Sequence, residues 1–168
     1  MDGNLTNGAV TTAVQPKYSL VLCDAELLKA SWSFIRRGLQ TIKAKDKRSG
    51  QWIPEHVRQR IEAGMNGRIF CECYLCVEDG GKPVGFCVLT CGTDEFVGVP
   101  LSLFMWITYC TAPMSKVMPQ VMPTLIKRRD DLGLRYLDGI SSRWGWMKEL
   151  ARHGFRVHQY IFRLEDKR

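Results

Sequence analysis

Three closely spaced cysteines, Cys71, Cys73 and Cys76, raise the question of a metal site. Thiolates are good zinc ligands, but a structural zinc site needs four ligands that converge on one point. These cysteines lie in a run of strand-forming residues, where successive side chains point to opposite faces. Cys71 and Cys73 would share one face while Cys76 points to the other, and no Cys-x-x-Cys pair follows at a matching spacing. The pattern predicts thiols packed in a core and no bound metal.

Acid and base chemistry would need a carboxylate, an imidazole or a phenol at the reacting centre. Glu72 and Glu78 lie on one predicted strand, where we expect a carboxylate to face solvent rather than act as a base. His153 precedes a glycine at the predicted end of a helix, where positive charge is favourable. Tyr160 falls on the last predicted strand. The catalytic residues are therefore left unassigned.

The elements that position these residues are predicted from periodicity and turn signals. Residues 1–17 have no apolar period and are interpreted as a flexible N-terminal arm. Asp24 is a candidate helix N-cap, and Gly64 is predicted to lie just past the end of the second helix. The predicted strands are 18–23, 68–78, 84–91, 101–111, 134–140 and 155–164, and the predicted helices are 25–44, 54–63, a segment from Pro113 to Gly133, and a segment from Ser142 to Gly154.

The order of these elements, β-α-α-β-β-β-α-β-α-β, predicts an α/β (α+β) domain with a mixed sheet over residues 18–168. The turn Asp79-Gly-Gly-Lys82 is a hairpin signal, because its residues tolerate positive φ. The run 101–111 is almost continuously apolar, which predicts burial on both faces near the centre of the sheet.

The composition of the 168 residues is that of an ordinary globular domain with a basic balance. Lys plus Arg is 24 against 17 for Asp plus Glu, a formal charge of +7. This surplus favours an acidic partner, although no basic block is long enough to predict nucleic-acid binding. The odd count of 7 cysteines and the lack of a leader pattern predict reduced thiols in the cytosol. No apolar stretch reaches the ~20 residues that span a membrane.

Two segments resemble the GNAT acetyltransferase superfamily, and the predicted order of elements is also the order of that fold. Gly81-Lys-Pro-Val-Gly-Phe-Cys-Val-Leu89 looks like the entry to its third strand, and Ser141 to Phe155 looks like its last helix with a terminal Gly-Phe. Within the superfamily the chain is similar to small GNAT-like proteins of tailed bacteriophages, including internal virion proteins. That similarity implies protein partners in a phage particle and a location in the virion or the host cytoplasm.

The resemblance also implies a cofactor loop after the fourth strand. In the family an Arg/Gln-x-x-Gly-x-Gly/Ala loop wraps the coenzyme A pyrophosphate at a helix N-terminus. The matching stretch here, 111–124, has no glycine and has prolines at 113, 119 and 123. The residues that could still contact acetyl-CoA are Lys116, Gln120 and Val121 in this stretch and Lys127 just after it.

The family usually places a tyrosine in its last helix, and this chain has Trp144 and Trp146 there instead. Together with the glycine-free loop and a basic face on which Arg128 and Arg129 are expected to be exposed, this favours a non-catalytic protein that binds a partner in a virion or an assembly, with no cofactor. The alternative is an active acetyl-CoA-dependent N-acetyltransferase. A nucleic-acid-binding module is a third possibility.

Overall fold

The computed structural model describes residues 17–45, 53–93, 99–139 and 144–156. Its elements, in chain order, are β1 Tyr18–Leu22, α1 Ala25–Lys45, α2 Pro54–Met65, β2 Cys71–Glu78, β3 Pro83–Thr93, β4 Pro100–Cys110, α3 Met114–Asp131, β5 Tyr136–Gly139 and α4 Trp144–Arg152. The predicted fold class is confirmed. Most of the predicted arm and most of the predicted last strand lie outside the described residues.

The five strands found in the described residues form one mixed sheet in the order β1-β2-β3-β4-β5. The first four strands pair antiparallel, and β5 pairs parallel to β4. The predicted hairpin joins β2 to β3, where Gly80 and Gly81 have φ values of 88° and 81°. Residues with side chains rarely adopt these angles, so the two glycines make the tight turn possible.

Helices cover both faces of the sheet, and each face has its own apolar core. One core lies between the sheet and α3, the other between the sheet and the pair α1 and α2. Cys71 and Cys73 belong to the α1/α2 core and Cys76 to the α3 core, as the alternation along the strand predicts. No group of side chains in the described ranges could hold a metal ion. The described helices also include none that is long and apolar enough to cross a membrane.

A β-bulge in β4 changes the face to which its side chains point. Val88 of β3 pairs with Ile107, but the next residue, Leu89, pairs with Met105, so Trp106 is the extra residue. Met105 therefore packs in the α3 core while Trp106 and Ile107 pack on the α1/α2 side. This contribution to both cores explains why β4 is almost continuously apolar, although the central strand of the five is β3.

Asp24 caps α1 as predicted, because its Oδ1 accepts a hydrogen bond from the Leu27 N–H at 2.7 Å. The prediction that Gly64 ends α2 is wrong. The helix continues to Met65, and Gly67, with φ 69°, follows it. Gly64 faces β2, where a Cβ atom would lie 2.0 Å from the Cys71 carbonyl oxygen. The glycine permits close contact between helix and strand rather than a change of direction.

The stretch 111–124, which the resemblance matches to a cofactor loop, is mostly helix, as the helix predicted after Pro113 requires. α3 begins at Met114, so Pro119 and Pro123 lie inside it. Each proline lacks the N–H that would bond to the carbonyl four residues earlier. Both prolines are exposed, and the apolar face formed by Val117, Met118, Val121, Met122 and Leu125 is buried. Burial of that face keeps the segment helical although it contains two prolines.

Burial raises the pKa of the Cys87 thiol from 9.0 to about 12. Above pH 9 this thiol stays protonated in the folded protein but ionises in the unfolded chain. Ionisation therefore favours the unfolded chain, and the free energy of unfolding falls as pH rises from 9 toward 12. The free energy of unfolding of each protein is compared at pH 8.5 and pH 10. We expect it to fall by about 1 kcal/mol less in Cys87→Ala than in the wild type. Urea unfolding of both proteins at each pH measures this difference, and equal losses would contradict it.

Candidate functional site

The sheet opens where β5 ends and β4 continues. β5 pairs with β4 only along Ser102 to Met105, opposite Tyr136 to Gly139. From Ile107 to Cys110 the outer edge of β4 has no strand partner among the described residues. Main-chain N–H and C=O groups on such an edge can bind an extended ligand.

The N-terminus of α3 lies at the end of this open edge and is uncapped. Pro113 is the N-cap residue and makes no side-chain cap hydrogen bond, and the first turn of the helix contains no acidic residue. The Pro113 oxygen accepts the first hydrogen bonds of the helix, from the Lys116 N–H at 2.9 Å and from the Val117 N–H at 3.2 Å. The N–H groups of Met114 and Ser115 therefore have no acceptor in the described part of the chain. Unpaired amides at the positive end of a helix favour an anion.

The last residues of β4 are held in place by bonds to β3. The Thr111 N–H and hydroxyl both donate to the Val84 oxygen, at 2.8 and 3.0 Å.

Two cysteine thiols interact across β3 next to this point. The Cys76 thiol donates a hydrogen bond to Cys110, which lowers the pKa of Cys110 to about 7 although burial opposes the shift. Gly85 lies between the two cysteines on β3, and a Cβ there would come within 2.5 Å of the Tyr109 oxygen.

A small cavity of about 30 Å³ lies between β4, α3 and α4. Its walls are almost wholly apolar and include Met105, Met114, Val117 and Trp146, with the Cys110 thiol among them. No carboxylate or imidazole of the described residues lines it. The opening thus combines an unpaired strand edge, an uncapped helix end and an apolar wall.

The four predicted cofactor-binding residues all lie on α3, but only one is free at this opening. Lys116 is exposed in the first turn. Gln120 accepts the Tyr18 N–H and donates to the Lys116 oxygen, both at 2.9 Å, and so ties α3 to β1. Val121 is buried and lines the apolar cavity, and Lys127 bonds Asp131 three turns along the helix. Their role in cofactor binding stays a prediction.

The predicted acid and base candidates are already engaged. Glu72 accepts two hydrogen bonds from Arg128 and a third from the Tyr74 hydroxyl at 3.0 Å. Glu78 pairs with Lys17 at 3.1 Å, and His153 lies 3.6 Å from Glu149. Tyr160 lies outside the described residues.

The interpretation of Arg128 and Arg129 as an exposed basic surface is wrong. Their side chains are only 31% and 27% exposed, because one pairs with Glu72 and the other with Asp130. A helix period alone cannot show which basic residues find a carboxylate in another element.

No sequence pattern predicted the contact between α2 and β4 in which the Arg60 guanidinium lies 5.2 Å from the centre of the Trp106 ring. A bulge depends on the pairing of two strands, and no local pattern in an apolar strand predicts which residue is extra. The position of Trp106 could therefore be read only from the folded sheet.

No protein-family model matches the sequence, and no curated protein matches it. Solved structures do match. A probable acetyltransferase is 16% identical, with 88% of this chain and 99% of that chain covered, at a TM-score of 0.65. An aminoglycoside N-acetyltransferase in complex with CoA is 11% identical, with 89% and 95% covered, at 0.62. A Trypanosoma brucei acetyltransferase is 14% identical, with 88% and 99% covered, at 0.56. The chain thus has a GNAT-like acetyltransferase fold.

Proposed function

We propose that this chain, which has an acetyltransferase fold, binds an acyl-coenzyme A at the opening beside β4 and transfers the acyl group to an amine. The observation that carries the proposal is the edge of β4 from Ile107 to Cys110, which has no strand partner among the described residues and leads to the uncapped N-terminus of α3. The amide groups of a pantetheine arm can pair with a free strand edge, and a pyrophosphate suits unpaired helix amides.

The glycine-free first turn of α3 does not remove this anion site. Pro113 contributes no N–H, but Met114 and Ser115 contribute two, and Lys116 is the exposed cation of the same turn. A pyrophosphate could therefore be held by the helix end and one side chain. A helix terminus without an acidic residue in its first turn would here take the place of the cradle of glycine amides.

Titration calorimetry with CoA and with pantetheine tests the binding step. We expect CoA to bind with a micromolar dissociation constant and pantetheine to bind more weakly, because pantetheine lacks the phosphates. Absence of CoA binding at millimolar concentration would contradict the proposal.

A charge placed at the helix end gives a sharper test. We expect Ser115→Asp to weaken CoA binding about tenfold, because the carboxylate would occupy the helix end and repel the pyrophosphate. Pantetheine binding should not change. Thr124→Asp, at an exposed position further along α3, is the matched control and should bind CoA like the wild type. Equal CoA affinities of the two variants would place the phosphates elsewhere.

A second candidate function is the non-catalytic binding of a protein partner, and the composition of the cavity favours it. No carboxylate or imidazole of the described residues lines the cavity, and α4 places Trp146 in its wall. A protein that binds CoA but releases no free thiol from acetyl-CoA with any amine would support this candidate. The virion role implied by the resemblance to phage proteins stays a prediction.

A further inference from the structure

The β4 bulge presents Trp106 on the face of the sheet opposite to α3 and α4. It is also the first residue of β4 beyond the part that pairs with β5. The thioester of an acyl-coenzyme A that binds along the open edge from the α3 side would enter the opening next to Trp106. Since α3 and α4 cover the donor side, the acceptor must approach from the side of α1 and α2.

Arg60 of α2 is the charged group that lies over Trp106 at this point. It is exposed, and no carboxylate in the described part of the chain pairs with it. Its neighbour Arg58 stacks in a similar way on Trp32, at 5.4 Å, but bonds Glu62 at 2.8 Å. A guanidinium that rests on an aromatic ring by its face keeps the N–H groups of its edge free for a carboxylate.

The position of Arg60 is fixed by the packing of α2 on the sheet. Val57 and Ile61 are buried against the sheet, and Gly64 allows the helix backbone to contact β2. Arg60 therefore belongs to a well-packed helix, and its contact with Trp106 limits the motion of its side chain. A cation held in this way needs little ordering when it binds an anion.

We infer that the acceptor amine belongs to a molecule that also carries a carboxylate, and that Arg60 binds this carboxylate beside Trp106. The inference rests on the proposed acyl transfer and specifies its substrate class. Amines without an acidic group would leave the free guanidinium edge unpaired and would bind less well. Arg58 has no such role, because Glu62 already neutralises it.

Product binding tests this inference without the need for turnover. N-acetyl-L-alanine and N-acetyl-L-alaninamide have almost the same shape and differ in the carboxylate. Each is titrated into protein saturated with CoA. We expect the carboxylate to bind about tenfold more tightly than the amide, the size of one charge-assisted hydrogen bond. Arg60→Gln should abolish this preference, Arg60→Lys should keep part of it, and Arg58→Gln should retain it fully.

Three results would overturn the inference: equal binding of the two ligands to the wild type, no binding of N-acetyl-L-alanine at millimolar concentration, or a preference that survives in Arg60→Gln. A CoA titration of each variant precedes these measurements. If CoA fails to bind the wild type, the proposed function itself has failed, whereas normal CoA binding without a carboxylate preference contradicts only the role of Arg60. Thermal melts confirm that each variant is folded.

Discussion

Replacing Gly64 by alanine is expected to lower the free energy of unfolding by about 3 kcal/mol, the upper range for an added group in a packed interior. The new Cβ would lie 2.0 Å from the Cys71 oxygen and 2.8 Å from its carbonyl carbon. These are backbone atoms, which cannot rotate away as the end of a side chain can. The helix would have to move away from β2, and its contacts through Val57 and Ile61 would weaken.

The measurement is urea unfolding of the variant against the wild type, with Gly145→Ala as the control. Gly145 lies in α4, and a Cβ added there would meet nothing within 4 Å, so alanine should leave stability unchanged or raise it by up to about 1 kcal/mol. A Gly64→Ala variant as stable as the wild type would show that α2 does not contact β2 in this way. The variant should also lose the carboxylate preference, because α2 carries Arg60.

Breaking the ion pair between Arg128 and Glu72 is expected to have the next largest effect on stability. Arg128→Met should cost about 2 kcal/mol, because Glu72 is only 16% exposed and would lose its charged partner. Arg128 also lies over the Phe70 ring, at 5.9 Å. The double variant Arg128→Met, Glu72→Gln should recover part of the loss, since the buried charge is then absent.

The adjacent residue provides the matched control. Lys127 bonds Asp131 at 2.7 and 2.8 Å, but the two side chains are 74% and 47% exposed. Lys127→Met should therefore change stability by less than about 0.5 kcal/mol. Chemical unfolding of the three variants measures these differences, and equal effects of Arg128→Met and Lys127→Met would show that burial of the pair contributes nothing.

Local signals in the sequence were enough to predict most of the fold. The Asp24 cap, the hairpin glycines and the apolar stripes of the helices each act within a few residues, so the order of the elements could be predicted. The alternation along β2 was enough to predict the face of the sheet to which Cys71, Cys73 and Cys76 point. Glycine is favoured both where a helix ends and where two backbones come into close contact. The sequence alone could not show which of the two explains Gly64, and the prediction that it ends α2 was wrong.

The site was harder to predict, because its parts come from distant segments. Pro119 and Pro123 are unusual inside a helix, yet α3 contains both, because its buried face outweighs the two lost helical bonds. The partners of Arg128 and Gln120 lie on strands more than fifty residues away in the chain. Register and packing between elements decide such contacts, and neither is visible in a local pattern.

The open edge of β4 also has a consequence for solubility. An unpaired strand beside an apolar wall is the kind of surface on which two molecules can join their sheets and begin to aggregate. A ligand that lies along Ile107 to Cys110 would occupy those main-chain groups and shield the wall from a second chain. The bound ligand would then also hinder aggregation, and the ligand-free protein would be the form that associates.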